Sequence, residues 1–238
     1  EVKEGYIFFA FKGNCTDGNF FIKDAIKKGS KIIITDKLKI NGWKNNILYL
    51  NDNNPRNLLA KFSSKIFKKK PNNLIGVTGT NGKSSIANFY FQILTLNKIR
   101  AASIGTLGVT GLKVKKNISN TTFDSIQINK ILKKLKEKKI ENVILEASSH
   151  GLEQNRLDGL EFDIGIFTNL TRDHLDYHKT YKNYLNSKLI LFKKLLKEKS
   201  YAIYDNELKI SSNLNKITKL NKIKKLTLGN TKSSFSII

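Results

Sequence analysis

The chain has 238 residues, 39% hydrophobic and 26% charged, enough for one large or two small globular domains with a real core. No apolar run approaches the length of a bilayer span, so no membrane partner is expected. The net charge is +24, but only Arg56, Arg100, Arg156 and Arg172 are arginines, and the lysines are scattered among Asn and Ile along the whole chain. That is a composition bias rather than a focused phosphate-binding stripe, so nucleic acid is not the expected partner. A single cysteine, Cys15, allows no intrachain disulfide, and the opening EVKEGYIFFAF lacks the apolar core of a signal peptide; a cytoplasmic protein is expected. There is no methionine, even at position 1, so the chain is expected to be a fragment cut at both ends.

Residues 1–71 read as a small α/β domain. YIFFAF is a strand, DGNFFIKDAIKKG a loop and a helix stopping at Gly29, KIIITD and ILYL two more strands, and PRNLLAKFSSKIFKK an amphipathic helix with Pro55 near its start. The polar, proline-bearing stretch KKKPNN (68–73) marks the expected boundary. Residues 72–238 then alternate strand and helix: LIGVT, IANFYFQILTLN, DSIQINKILKKLKEKKI capped by Asp124, NVILEA, DIGIFTN, a helix around 181–196, and SYAIYD. Strands with little alternation between helices predict a doubly wound, mostly parallel sheet. The fold class is therefore α/β, with a small domain followed by a larger phosphate-loop domain.

Three motifs carry chemistry. In GVTGTNGKSS (76–85) a strand enters a glycine turn and a helix starts at Lys83–Ser84. Backbone N–H groups of Gly79, Thr80, Asn81, Gly82, Lys83, Ser84 and Ser85 can cradle phosphate oxygens, Lys83 can reach the β- and γ-phosphates, and Ser84 can hold Mg²⁺. Val77 stands where the strict phosphate-loop pattern has glycine, and an ordinary tight turn is the competing reading. In EASSHGLEQNR (146–156), Glu146 ends a strand on the edge where such sheets bind ligands, and can serve Mg²⁺ directly or through water. Ser148, Gln154 and Arg156 suit an anionic substrate, against the alternative of a solvated loop. TNLTRDHLDYH (168–178) ends another strand; with His150 it holds all three histidines. His174 and His178 are four apart, on one face if helical. The stretch lacks the glutamate placement of a zinc protease helix, so help in binding a second Mg²⁺ is favoured over zinc.

The helix after this loop raises a separate question. Tyr181, Tyr184, Leu185, Leu189, Phe192, Leu195 and Leu196 draw one apolar stripe, and Lys188 lies inside it. A lysine there either snorkels to water or is wanted by a site.

GVTGTNGKSS, NTT (120–122), EASSHGLEQNR, TNLTRDHLDYH and NSK (186–188), in this order, resemble the Mur ligases, and within them the members that add the third peptide residue to UDP-N-acetylmuramoyl-L-alanyl-D-glutamate. The early segment FKGNCTDGNFFIKDAI also resembles their UDP-binding domain. The resemblance implies an ATP-dependent, Mg²⁺-dependent amide ligase of peptidoglycan precursor synthesis. Its partners would be that muramoyl dipeptide nucleotide and a diamino acid, meso-diaminopimelate or L-lysine, and it would act as a monomer. It also implies roles: Asn14, Cys15 and Thr16 near the uridine; Asn120, Thr121, Thr122, Ser148, Gln154 and Arg156 on the muramoyl dipeptide; Lys83 in catalysis on ATP; Ser84, Glu146 and His174 at Mg²⁺; and Lys188 as a carbamate (N6-carboxylysine) that also binds metal. Partial burial would favour the neutral amine that meets CO₂. Phe123 stands where the family has proline after the paired threonines. The family's carboxyl-terminal domain is missing from the chain as given, so it is expected to be inactive alone. Rival readings are a folylpolyglutamate synthase-like ligase, a phosphate-loop ATPase acting on nucleic acid, and an inactive product of a degraded gene.

Overall fold

Asp17 accepts a hydrogen bond from the Asn19 N–H and caps a 3₁₀ turn, Gly18–Phe21, that leads into the first helix. The computed structural model describes residues 2–13, 16–38, 41–112, 121–229 and 233–236. It divides into two compact units, Glu1–Phe62 and Ser63–Ile238. The stretch 68–73 thus lies inside the second unit.

The first unit contains β1 (Ile7–Ala10), α1 (Ile22–Lys27), β2 (Ile32–Thr35), β3 (Gly42–Lys44), β4 (Ile47–Asn51) and most of α2 (Pro55–Ile66). Its sheet runs β1-β2-β4-β3. The first three are parallel and β3 pairs antiparallel with β4. The strand β3 was not expected from the sequence. Its signal is the turn Asn45–Asn46, where both residues take positive φ, as a two-residue hairpin requires. Ile33, Ile34, Ala10, Ala25, Ile47 and Ala60 are buried.

The second unit is the larger alternation: β5 (Asn73–Thr78), α3 (Lys83–Leu96), β6 (Ala101–Gly105), β7 (Gly108–Val109), α4 (Ser125–Glu137), β8 (Asn142–Glu146), α5 (Ser149–Glu153), β9 (Phe162–Phe167), α6 (Leu175–His178), α7 (Tyr181–Ile190), β10 (Leu196–Asp205), α8 (Ser211–Leu220), β11 (Lys224–Gly229) and β12 (Phe235–Ser236). Strand order is β12-β11-β10-β9-β5-β8-β6-β7, all parallel except the β6–β7 pair. This is the expected mostly parallel α/β sheet. Side chains alternate between its faces. Ile75, Val77 and Ile144 face α3, with Ala87 and Tyr90 from that helix. Leu74, Val143 and Leu145 face the other way, toward Ile128 and Leu132 of α4, Leu189 of α7 and Leu214 of α8.

Two local expectations are corrected. The helix bearing Lys188 ends at Ile190 and widens into a π turn, Leu191–Leu195, that buries Leu191, Phe192 and Leu195. Leu196 then belongs to β10, where it pairs with Phe162 before the register shifts at Tyr201; the strand starts four residues earlier than SYAIYD. Phe123, in place of proline, is 5% exposed and packs in the main core just before the Asp124 cap of α4. Among the described residues, no helix is long and apolar enough to cross a membrane.

Candidate active site

The carboxyl ends of β5, β8, β6 and β9 lie on one edge: the glycine loop follows β5, Thr106 follows β6, Glu146 ends β8 and Thr168 follows β9, with Lys188 further on in α7. The loop after β5 is held from outside. Gly79 has φ +147, and a Cβ there would lie 1.8 Å from Thr168 Oγ1, so this close crossing admits only glycine. Thr80 N–H donates to Asn169 O (3.0 Å) and Asn81 N–H to Asn169 Oδ1 (2.9 Å), while Thr168 Oγ1 donates to Asn81 O (2.6 Å). Thr80 Oγ1 accepts from Thr171 N–H (3.0 Å) and meets the Tyr184 hydroxyl at 3.1 Å. Gly82, at φ +83, opens α3, whose first residues are Lys83, Ser84 and Ser85. Lys83 is folded back: Nζ donates to Gly79 O (2.8 Å) and Thr80 O (2.7 Å). Burial lowers its pKa, against the pull of Glu146 and Asp173.

Glu146 is 2% exposed yet keeps three donors. Ser84 Oγ donates to Oε2 (2.9 Å), Thr106 N–H to Oε1 (3.0 Å) and Thr106 Oγ1 to Oε2 (3.2 Å). Gly105 makes room: a Cβ there would sit 2.0 Å from Glu146 Oε1. Thr106 Oγ1 also reaches Thr121 Oγ1 at 3.2 Å. The paired hydroxyl and carboxylate of Ser84 and Glu146 are hard oxygen donors beside a phosphate-type loop, a set that fits Mg²⁺ with its remaining waters. Among the described residues, no group of three or more His, Cys, Asp or Glu is arranged around a metal position.

A second network holds four of the residues expected on the muramoyl dipeptide. Thr122 Oγ1 donates to Glu146 O (2.9 Å), lies 2.9 Å from Ser148 Oγ and accepts from Ser148 N–H. Ser148 caps α5. Arg156 donates to Thr122 O (2.6 Å) and to Gln154 Oε1 (2.8 Å), and Gln154 Nε2 donates to the Tyr177 hydroxyl (3.1 Å). Thr122, Ser148, Gln154 and Arg156 are thus brought together. Thr16 is exposed in the first unit. Asn14, Cys15 and Asn120 lie outside the described residues.

The histidines meet as rings. His150 packs on His174 (centroids 4.9 Å), Tyr177 (4.2 Å) and His178 (5.3 Å). His174 and His178 both pack on His150 and Tyr184, although His174 is the N-cap of α6 and not inside a helix. His174 is at φ +51, before the four-residue α6; its side chain is half exposed, while that of His178 is fully buried. Burial, then the charges of His150, His174 and Lys188, lower the His178 pKa to about 4, although Nδ1 lies 2.9 Å from Glu153 Oε2.

Lys188 is 1% exposed. Its Nζ donates to Gly79 O (2.7 Å) and sits 4.4 Å from the Tyr184 ring centre. Burial, then the Lys83 charge, lower its pKa to about 7. Snorkelling to water is ruled out. Sequence reasoning missed Thr106, because its link to Glu146 joins neighbouring strands far apart in the chain; the shared strand-end edge was the available signal. It also missed the clamp formed by Thr168 and Asn169, which lie inside a recognised motif but act on another loop.

The fold and these loops define a phosphate-loop α/β protein with an acidic strand end beside the loop. The sequence pattern of the Mur ligase middle domain matches residues 77–237. The chain belongs to the Mur ligase family. A UDP-N-acetylmuramoyl-L-alanyl-D-glutamate--2,6-diaminopimelate ligase of Rickettsia montanensis is 41% identical over 211 residues, covering 87% of this chain and 43% of that protein. The ligase of the same name from Clostridium tetani is 42% identical over 199 residues, 81% of this chain and 40% of its own. A solved structure of a ligase of that name superposes with a TM-score of 0.82 at 29% identity, over 100% of this chain and 48% of that one. Escherichia coli FolC in complex with DHPP and ADP shares the fold at a TM-score of 0.55 and 19% identity, over 73% of this chain and 46% of that one. The chain spans less than half the length of these relatives.

Proposed function

We propose that this chain forms the ATP-binding and UDP-precursor-binding part of a ligase that joins meso-diaminopimelate to UDP-N-acetylmuramoyl-L-alanyl-D-glutamate in peptidoglycan synthesis. The observation that carries this reading is the pairing of Ser84 with buried Glu146 beside a clamped glycine loop, in a chain about 40% identical to ligases of that name. Residues 1–71 would hold the UDP end through Asn14, Cys15 and Thr16, and residues 72–238 the ATP. The protein would act in the cytoplasm as a monomer, without nucleic acid.

The γ-phosphoryl group of ATP passes to the D-glutamate side-chain carboxylate. The acyl phosphate then loses phosphate as the diamino acid's amine attacks, because hydroxide leaves poorly and phosphate leaves well. In this reading Gly82, Lys83, Ser84 and Ser85 present N–H groups at a helix N-terminus to the phosphates, because Asn169 already holds the N–H groups of Thr80 and Asn81 that the sequence offered for the same task. Lys83 turns from the Gly79 and Thr80 carbonyls to the transferred group and offsets its charge. Ser84, Glu146, His174 and carbamylated Lys188 are the metal-holding residues, and Mg²⁺ supplies charge neutralisation when bound. Thr121, Thr122, Ser148, Gln154 and Arg156, with Asn120, orient the dipeptide carboxylates, Arg156 through its two-pronged guanidinium. The folylpolyglutamate synthase-like reading has only the shared fold in its favour.

The test is phosphate release from ATP by the whole reading frame containing this chain. Release that requires the muramoyl dipeptide nucleotide and meso-diaminopimelate is expected. Release with L-lysine instead would reassign the amino acid, and no release with either from folded protein would overturn the reading.

A further inference from the structure

Thr78 ends β5, one residue before the glycine loop. The residue is fully buried, and among the described residues Oγ1 has no hydrogen-bond partner. Buried hydroxyls almost always have one, so an unpartnered buried hydroxyl beside a site asks for a role, and where it faces narrows that role. The direction follows from strand alternation. Two residues earlier, a Cβ on Gly76 would lie 2.8 Å from Leu191 and 3.1 Å from Phe162, so that face of β5 looks at the end of the α7 segment. Val77, between them, faces the α3 side. Thr78 therefore faces α7, further along than Leu191, and Lys188 is one helical turn before Leu191. The Lys188 amine indeed reaches the carbonyl of Gly79, the very next residue.

The surroundings of that amine suit a cation better than an anion on one side. The Tyr184 ring face attracts an ammonium and repels a carboxylate. A carbamate at Lys188 must therefore find its donors elsewhere. Lys83 is one, since its Nζ shares the Gly79 carbonyl with Lys188. On the sheet side, among the described residues, Thr78 offers an unused donor.

We infer that Thr78 is a positioning residue whose hydroxyl donates to the carbamate on Lys188 and so fixes where the second carbamate oxygen points. The inference rests on the carbamate reading given above. The Lys188 nitrogen lone pair attacks the carbon of dissolved CO₂ and forms the N–C bond. One C=O π pair moves to oxygen, and one amine proton passes to water, leaving R–NH–COO⁻ and H⁺. The remaining N–H keeps its bond to Gly79 O, and Thr78 Oγ–H meets one carbamate oxygen.

The experiment is ¹³C NMR of this chain titrated with ¹³C-bicarbonate. The wild type is expected to show a carbamate resonance that Lys188→Met lacks. Thr78→Ser keeps the hydroxyl and should keep the wild-type midpoint. Thr78→Val should need at least about fivefold more bicarbonate for half occupancy, as loss of a charge-assisted hydrogen bond implies. Its melting temperature should equal or exceed that of the wild type, because the lost hydroxyl was unpaired. If Thr78→Val fails to melt cooperatively, Thr78→Ala removes the same hydroxyl and carries the comparison. Equal midpoints with and without the hydroxyl would overturn the role of Thr78 while leaving the carbamate standing. No resonance in the wild type at saturating bicarbonate would overturn both.

Discussion

At Lys188 the fold holds an amine in a nearly dry place with one carbonyl and one ring face for company. The apolar stripe made this position conspicuous in the sequence, but it left snorkelling to water and burial at a site equally open. Its partners were not legible, because Gly79 is 109 residues away. The pKa of about 7 has a stability consequence. The folded-state value lies below the ordinary 10.5, so between pH 7 and 10.5 the unfolded chain binds more protons than the native one. Stability is reduced in full below pH 7 and recovers as pH rises through that window. Lys188→Met leaves no orphan, since Gly79 O keeps its bond from Lys83. In CO₂-depleted buffer this variant is expected to be more stable than the wild type by roughly 1–4 kcal/mol at pH 7. The difference should shrink toward pH 10, as read by urea unfolding at both pH values. A difference that grows with pH would contradict the burial argument.

The elements divide between those written in local sequence and those set by partners. Asp124 as a cap, Pro55 at a helix start and the glycine loop before Lys83 act within a few residues, and each was readable. The π turn at Leu191–Leu195 was not, because the stripe continues unbroken through it and only packing of Leu191 under Gly76 and of Leu195 in the core favours the wider turn. The same holds for the clamp on the glycine loop: Thr168 and Asn169 belong to β9's exit, not to the loop they hold. A Gly79→Ala change tests that clamp. The added methyl would strike Thr168 Oγ1 and would have to sit at φ +147, so a loss of roughly 2–4 kcal/mol is expected in urea unfolding. Adding Thr168→Ala should recover the clash part and leave the backbone part. Full recovery would mean that φ at Gly79 costs nothing.

Over the whole molecule, the alternation of strands and helices identified the parallel sheet, and short or late elements such as β3, β7 and β12 escaped it because two or three residues carry no period. The charge of +24 gave no site, since scattered lysines make a general field that steers anions without choosing one. In the function proposed here what chooses is the strand-end edge, where Ser84 meets Glu146 across 62 residues and Lys188 meets Gly79 across 109. The most direct measurement is calorimetric titration of this chain with ADP and Mg²⁺, beside Lys83→Met and Glu146→Gln. Binding that needs Mg²⁺ is expected, weakened at least about tenfold in Lys83→Met and losing its Mg²⁺ dependence in Glu146→Gln. ADP binding untouched by both substitutions would contradict the placing of the nucleotide at this loop.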